Sequence, residues 1–400
     1  MSKRYFLFLP LIGVLVMILG ACAAPPLPDK NTTRPSVTAT TSLNILIEDD
    51  RPPQLRRLTQ SWNTDWTRHT IRYDEILSGG PPRDGIPAID DPKFISIDEA
   101  AEWLSDREPV VELEVDGVAR AYPLQILIWH EIVNDEIAGT SVAITFCPLC
   151  NSAMVFDRRH DDRVLDFGVS GLLRNSDLIM YDRQTESLWQ QFTGEGIVGE
   201  MAGEELTWLP ASIISFADFR QAYPQGQVLS RDTGYPRSYG NNPYVGYDNI
   251  DQSPFLFEDI PDDRLPPMAR VVTISLEDED VAYPYAVLEK VHVVHDQVGG
   301  KDIVVFYQPG AVSALDARAI ADSKDVGATG VFVPMLDGRP LTFVAVGDHF
   351  IDEQTGSQWN ILGVATAGPL AGQRLPPVRH ADHFWFSWAA FKPDTRIYPH

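Results

Sequence analysis

Three hydrophobic regimes follow one another along the chain. Tyr5 to Leu19 is an apolar run preceded by Lys3 and Arg4. Residues 23–42 carry Pro, Thr and Ser without periodicity. From Leu43 onward, short apolar runs are separated by Gly, Pro, Asn and Asp. Alternation of apolar and polar positions marks half-buried strands, and the intervening residues mark turns. "VVELEVDG", from Val110, alternates in this way and ends in Asp-Gly, a hairpin signal. "VAITF", "AMVFD", "LIMYD" and "ELTWL" are further β-type runs. Leu124 to Ile132 instead has apolar residues at helical spacing. Ser96 stands three residues before Glu99, a capping box that opens a short helix. Trp208 and Phe216 to Phe219 predict a covering helix.

The pattern recurs. The run from Val110 through "AYPLQILIWHEIVND" matches the run from Val271 through "AYPYAVLEKVHVVHD". At one offset Asp135 meets Asp296, Gly139 meets Gly300 and Ala153 meets Ala314. Further on, "DRQTESLW" from Asp182 matches "DEQTGSQW" from Asp352. Such agreement predicts duplication of a unit of roughly 130 residues. The expected fold class is α+β, mostly β, with two tandem related units over residues 43–250 and 251–400.

The chain has 400 residues with 44% apolar and 10% aromatic content, which is globular rather than disordered. A formal charge of −24 argues against nucleic acid as a partner, because a phosphate binder needs a basic face. Lys3, Arg4 and the apolar run read as a signal peptide over residues 1–21, too short for an ordinary spanning helix. It ends in "LGAC", which looks like a bacterial lipoprotein signal. That resemblance implies a lipid on Cys22, a flexible tether over 22–42, and a chain held at the extracytoplasmic side of the cell membrane. Each buried CH₂ of such a lipid contributes about 0.8 kcal/mol of anchoring.

Lipidation would use one of the three cysteines; the other two are Cys147 and Cys150, in "TFCPLCNSA". Three readings compete. CxxC spacing suits a thiol-disulfide redox pair, but the familiar form opens a helix, and a strand-like run follows here. A Cys-Pro-x-Cys turn leaving a strand resembles a metal knuckle, with Pro148 shaping the turn and Asn151 suited to positive φ. The third reading is a structural pair in a binding module, where Tyr239, Tyr244 and Tyr247 contact a ligand. One knuckle supplies two of four ligands. His130, in "WHEIVND", is the expected third, with Glu131 beside it as a ligand or a supporting group, and Asn151 supporting the turn. Copper(I), zinc and iron all suit thiolate plus imidazole.

In the second unit Cys147 aligns with Gln308, Cys150 with Ala311 and His130 with Val291, so thiols and histidine disappear as a set. That unit holds His292, His295, His380 and His383 instead. "RHADH" has helix-face spacing, although solvated loop histidines are the simpler account; His160 is expected to be exposed. "GVSGLL" lacks the second glycine of a nucleophile elbow, since Leu172 stands there. "VGGKD" lacks the upstream glycine and the Ser or Thr of a phosphate loop.

"SGGPPRDGIPAIDDPKF", "AYPLQILIWHEIVND", "TFCPLCNSAMVFDR", "SGLLRNSDLIMYDRQTESLWQQFTGEGIVGE" and "NPYVGY" together resemble the bacterial and archaeal DUF3179 family, over about residues 70 to 400. The resemblance implies an extracytoplasmic location and an important knuckle. It implies no reaction, because the family is one of unknown function.

Overall fold

Asp116 and Gly117 adopt φ of 49° and 80°, the paired left-handed conformations of a two-residue hairpin turn. They join Pro109–Val115 to Val118–Pro123. In the computed structural model, which describes residues 45–399, this hairpin starts an order of elements that occurs twice. The apolar leader, Cys22 and the tether lie outside the described residues.

The first hairpin lies in a five-stranded sheet, flanked by antiparallel Ser212–Ser215 and parallel Gln227–Leu229. The helix Leu124–His130 follows, then a second hairpin of Ile132–Ile137 and Thr140–Cys147. Ser152–Asp157 pairs with the latter strand. A meander of Phe167–Arg174, Asp177–Asp182, Leu188–Gln190 and Gly196–Val198 comes next. The second half has the hairpin Arg270–Leu276 and Glu279–Pro284, flanked by antiparallel Ala381–Phe384 and parallel Arg396–Ile397. The helix Tyr285–Val291, the hairpin Val293–Val298 and Lys301–Gln308, and a meander from Phe343 to Ala367 follow in the same order. The whole is mostly β, in small sheets with a propeller-like arrangement.

Side chains set this arrangement in both halves. The Tyr122 hydroxyl donates to Asp135 at 2.5 Å, and Tyr283 donates to Asp296 at 2.7 Å. Trp189 Nε1 donates to Asp182 and Trp359 Nε1 to Asp352, each at 2.9 Å. Both tryptophans are fully buried, so "DRQTESLW" and "DEQTGSQW" act as core staples. The cores are shared: one cluster joins Ile132, Phe146 and Trp189 to Leu315, Phe384 and Phe386. Burying each such side chain contributes about 1.5–3 kcal/mol.

Several expectations are corrected here. The helix from Leu124 stops at His130, because Glu131 turns to φ 60°. His292 does the same at φ 59° after the second helix. "RHADH" leads into an edge strand, Ala381–Phe384, with His380 just before it and His383 on it, and both histidines are buried rather than solvated. His160 is half-buried against Trp189, 3.3 Å from Glu204. No described helix is long and apolar enough to cross a membrane.

Candidate metal centre

The strand Thr140–Cys147 is buried nearly throughout, which its unbroken apolar run requires. It delivers Cys147 to a turn that returns at Ser152, the register partner of Cys147. The Asn151 amide closes the turn on the Pro148 carbonyl at 3.3 Å. Asn151 has φ 51°, the positive value expected of it. Cys147 is 2% exposed and Cys150 is fully buried, and both are free thiols.

The third member of the group is Asp177, which the sequence reading missed. It begins the strand Asp177–Asp182, directly after a two-residue turn at Asn175 and Ser176 with φ of 52° and 66°. Ligand atoms of Cys147, Cys150 and Asp177 all lie within 4.8 Å of one another. One Asp177 oxygen accepts from Gln190 Nε2 at 2.7 Å and from the Phe192 amide at 3.0 Å. The other, Oδ1, is buried without a conventional hydrogen-bond partner.

Burial raises the pKa of every group here. It pushes Asp177 up to about 7 and Cys150 well above the usual thiol range. Cys147 also rises through burial, with the charges of Asp177 and Glu131 adding to it. Glu131 reaches about 8, through burial first and the Asp177 charge second. The charges that act most strongly on these groups are one another's, and no cationic side chain is among them. Burial favours the neutral forms of these two thiols and two carboxyls, and a cation would favour their ionised forms. A buried oxygen whose only neighbouring donors are the two weak S–H groups fits such an ion once the thiols lose their protons.

His130 is not in this group. One of its ring nitrogens, Nδ1, lies 2.7 Å from the Pro87 carbonyl, and Nε2 lies 2.6 Å from the Tyr239 hydroxyl. A neutral imidazole satisfies both, donating to the carbonyl and accepting from the hydroxyl, and burial lowers its pKa to about 4. The reason is the turn at Glu131, which sends the chain into the next strand while His130 stays on the helix. The histidine ties the helix to the segment around Ile89, which bonds along the strand Ile132–Ile137 through Ile89 N to Ile132 O and Asn134 N to Ile89 O. Tyr239 thus holds the histidine. Tyr247 donates to the Leu149 carbonyl and accepts from the Phe255 amide, each at 3.1 Å, so the connection between the halves packs over the knuckle turn. Tyr244 is half-buried and feels the charges of Glu131 and Cys147.

A family model described as "Protein of unknown function (DUF3179)" matches residues 83–395. No curated protein and no solved structure matches the chain.

Proposed function

The chain belongs to the DUF3179 family, and we propose that it is an extracytoplasmic, membrane-anchored lipoprotein that binds a metal ion through Cys147, Cys150 and Asp177. The observation that carries the metal reading is the buried cluster itself, with three donor atoms within 4.8 Å and one carboxylate oxygen that has only the thiols beside it. Thiol-disulfide exchange with another protein needs an incoming thiolate to reach a sulfur. Cysteine residues only 2% and 0% exposed argue against that. A carboxylate beside two thiolates suits zinc or iron(II). When bound, the ion would supply the positive charge that the pocket lacks. The protein's own part is to hold the donors dry and in place.

The repeated order of elements, with its paired tyrosine–aspartate and tryptophan–aspartate bonds, supports duplication, the first unit keeping the site and the second losing it. Lys3, Arg4, the apolar run and Cys22 support lipid attachment. Cys22→Ser is expected to release the protein from membranes or leave an unprocessed precursor; unchanged mass and unchanged extraction would refute the anchor.

Metal content of the purified protein, paired with a titration of free thiols, tests the site. The expected result is bound zinc or iron that disappears in Cys147→Ser and in Asp177→Asn. A metal-free protein that takes up neither ion and cycles reversibly between dithiol and disulfide would sink the metal reading.

A further inference from the structure

The geometry points to Glu131 as the remaining donor, so that two thiolates and two carboxylates hold a divalent ion of the zinc or iron(II) class. This rests on the metal reading above. Glu131 sits where the helix ends and the chain reverses, and its carbonyl accepts from the Phe146 amide at 2.8 Å. Its neighbour across that bond is the residue immediately before Cys147. The residue is 7% exposed. Its carboxylate makes no hydrogen bond to any described residue, although its charge is felt at Cys147 and at Tyr244, and it feels the charge of Asp177.

A carboxylate on a largely buried residue that makes no hydrogen bond to the protein costs free energy, here eased by the solvent contact its oxygens keep, and it persists where an ion or a reaction uses it. The Glu131 carboxylate stands outside the 4.8 Å group. No hydrogen bond to a described residue holds it there, and a change of its own side-chain torsions is what would bring it to the sulfurs. His130 differs on this point, since moving it would break two hydrogen bonds. The second half agrees. At the same left-handed position it has His292, and it lacks both thiols, with Gln308 and Ala311 in their places. Hard oxygen donors matter to zinc and iron(II) but little to copper(I), which thiolates alone satisfy.

The full chain, stripped by chelator and reloaded with Zn²⁺ or with Co²⁺ as a spectroscopic probe, tests this. Wild type is expected to show thiolate-to-cobalt absorption. Glu131→Gln should keep that absorption and weaken Zn²⁺ and Co²⁺ binding by at least about tenfold. Copper(I) affinity should not change in the variant. Unchanged Zn²⁺ affinity in Glu131→Gln overturns the role of Glu131 and leaves the three-donor site standing. An equal loss for copper(I) also overturns it, since that means a distorted pocket. Absence of thiolate-to-cobalt absorption in wild type overturns both readings. Should Glu131→Gln not fold, Glu131→Asp carries the same comparison: weakened Zn²⁺ binding supports the role and unchanged binding removes it.

Discussion

The chain leaves Thr140–Cys147 and Lys301–Gln308 at matching places in the two halves but along different paths: the first returns at once, with Ser152 opposite Cys147, and the second returns only at Ala328, opposite Gln308. The first presents two buried sulfurs to Asp177. In the second, Gln308 donates to Asp218 at 3.0 Å and Ala311 is packed in the core. Yet the tyrosine–aspartate bond, the tryptophan–aspartate bond and the left-handed residue after the helix persist in both. The tight return is therefore lost together with the thiols, while the surrounding elements are kept.

The same comparison separates His130 from that site. The strand Ile132–Ile137 is covered on its outer edge by the segment around Ile89, and His130 bonds to that segment at Pro87. In the second half, Val291 stands in place of His130 and is 46% exposed. The histidine is lost along with the strand cover, and its coincidence with the loss of thiols misleads a reading by alignment alone.

The largest expected effect comes from giving the first turn the side chains found at the matching positions of the second half. Cys147→Gln with Cys150→Ala should abolish metal binding while the far-ultraviolet spectrum stays native. Stability should fall by about 1–3 kcal/mol, because the glutamine amide introduced at the first position would be buried without partners. A fold lost outright would mean that the thiols or their ion hold the first half together, and the comparison of turns would break.

Next comes the cover. His130→Ala leaves the Pro87 carbonyl without its donor and opens a cavity, with an expected cost of about 2–4 kcal/mol in urea unfolding. Metal affinity should be unchanged. Val291→Ala should stay within about 0.5 kcal/mol of wild type. Loss of metal in His130→Ala, with the fold intact, would return the histidine to the site.

Smaller still are the staples. Trp189→Phe and Trp359→Phe each remove one donor from a buried carboxylate and should each cost about 1–3 kcal/mol. The two costs should agree, since the bonds have equal lengths. A cost confined to one half would show that the shared pattern hides different packing.

Local signals were readable in the sequence because the backbone obeys them locally. Asp116-Gly117 makes its hairpin, Ser96 and Glu99 make their capping box, and Asn151 takes positive φ. The knuckle was legible for the same reason. Asp177 was not, because it reaches the sulfurs from a separate sheet, and nothing at its own position distinguishes it from any strand-edge aspartate. The helix end was also hidden, since Glu131 and His292 adopt the left-handed conformation without a glycine to announce it. Tertiary packing holds them there against an intrinsic preference for right-handed geometry. That one missed turn is why His130 was expected beside the sulfurs.

The smallest effect concerns a position where the halves differ without any turn or staple. Glu112 lies on the strand Pro109–Val115, and Thr273 holds the aligned place on Arg270–Leu276. Burial raises the Glu112 carboxyl to about 6, although the Tyr223 hydroxyl donates to it at 2.7 Å. A carboxyl raised in the folded state holds its proton there after the unfolded chain has released its own. Stability is therefore lost as pH rises from about 4.5 to about 6, by at most about 2 kcal/mol. Glu112→Gln keeps an acceptor for Tyr223 and cannot ionise. It should match wild type near pH 4 and exceed it by about 1–2 kcal/mol near pH 7.5, measured as the difference in urea midpoints at equal slope. Thr273→Ser, in the half without a carboxyl, should show no such pH dependence. A constant difference between Glu112→Gln and wild type across the range would mean that Glu112 is ionised in the fold, held by Arg374 rather than governed by burial.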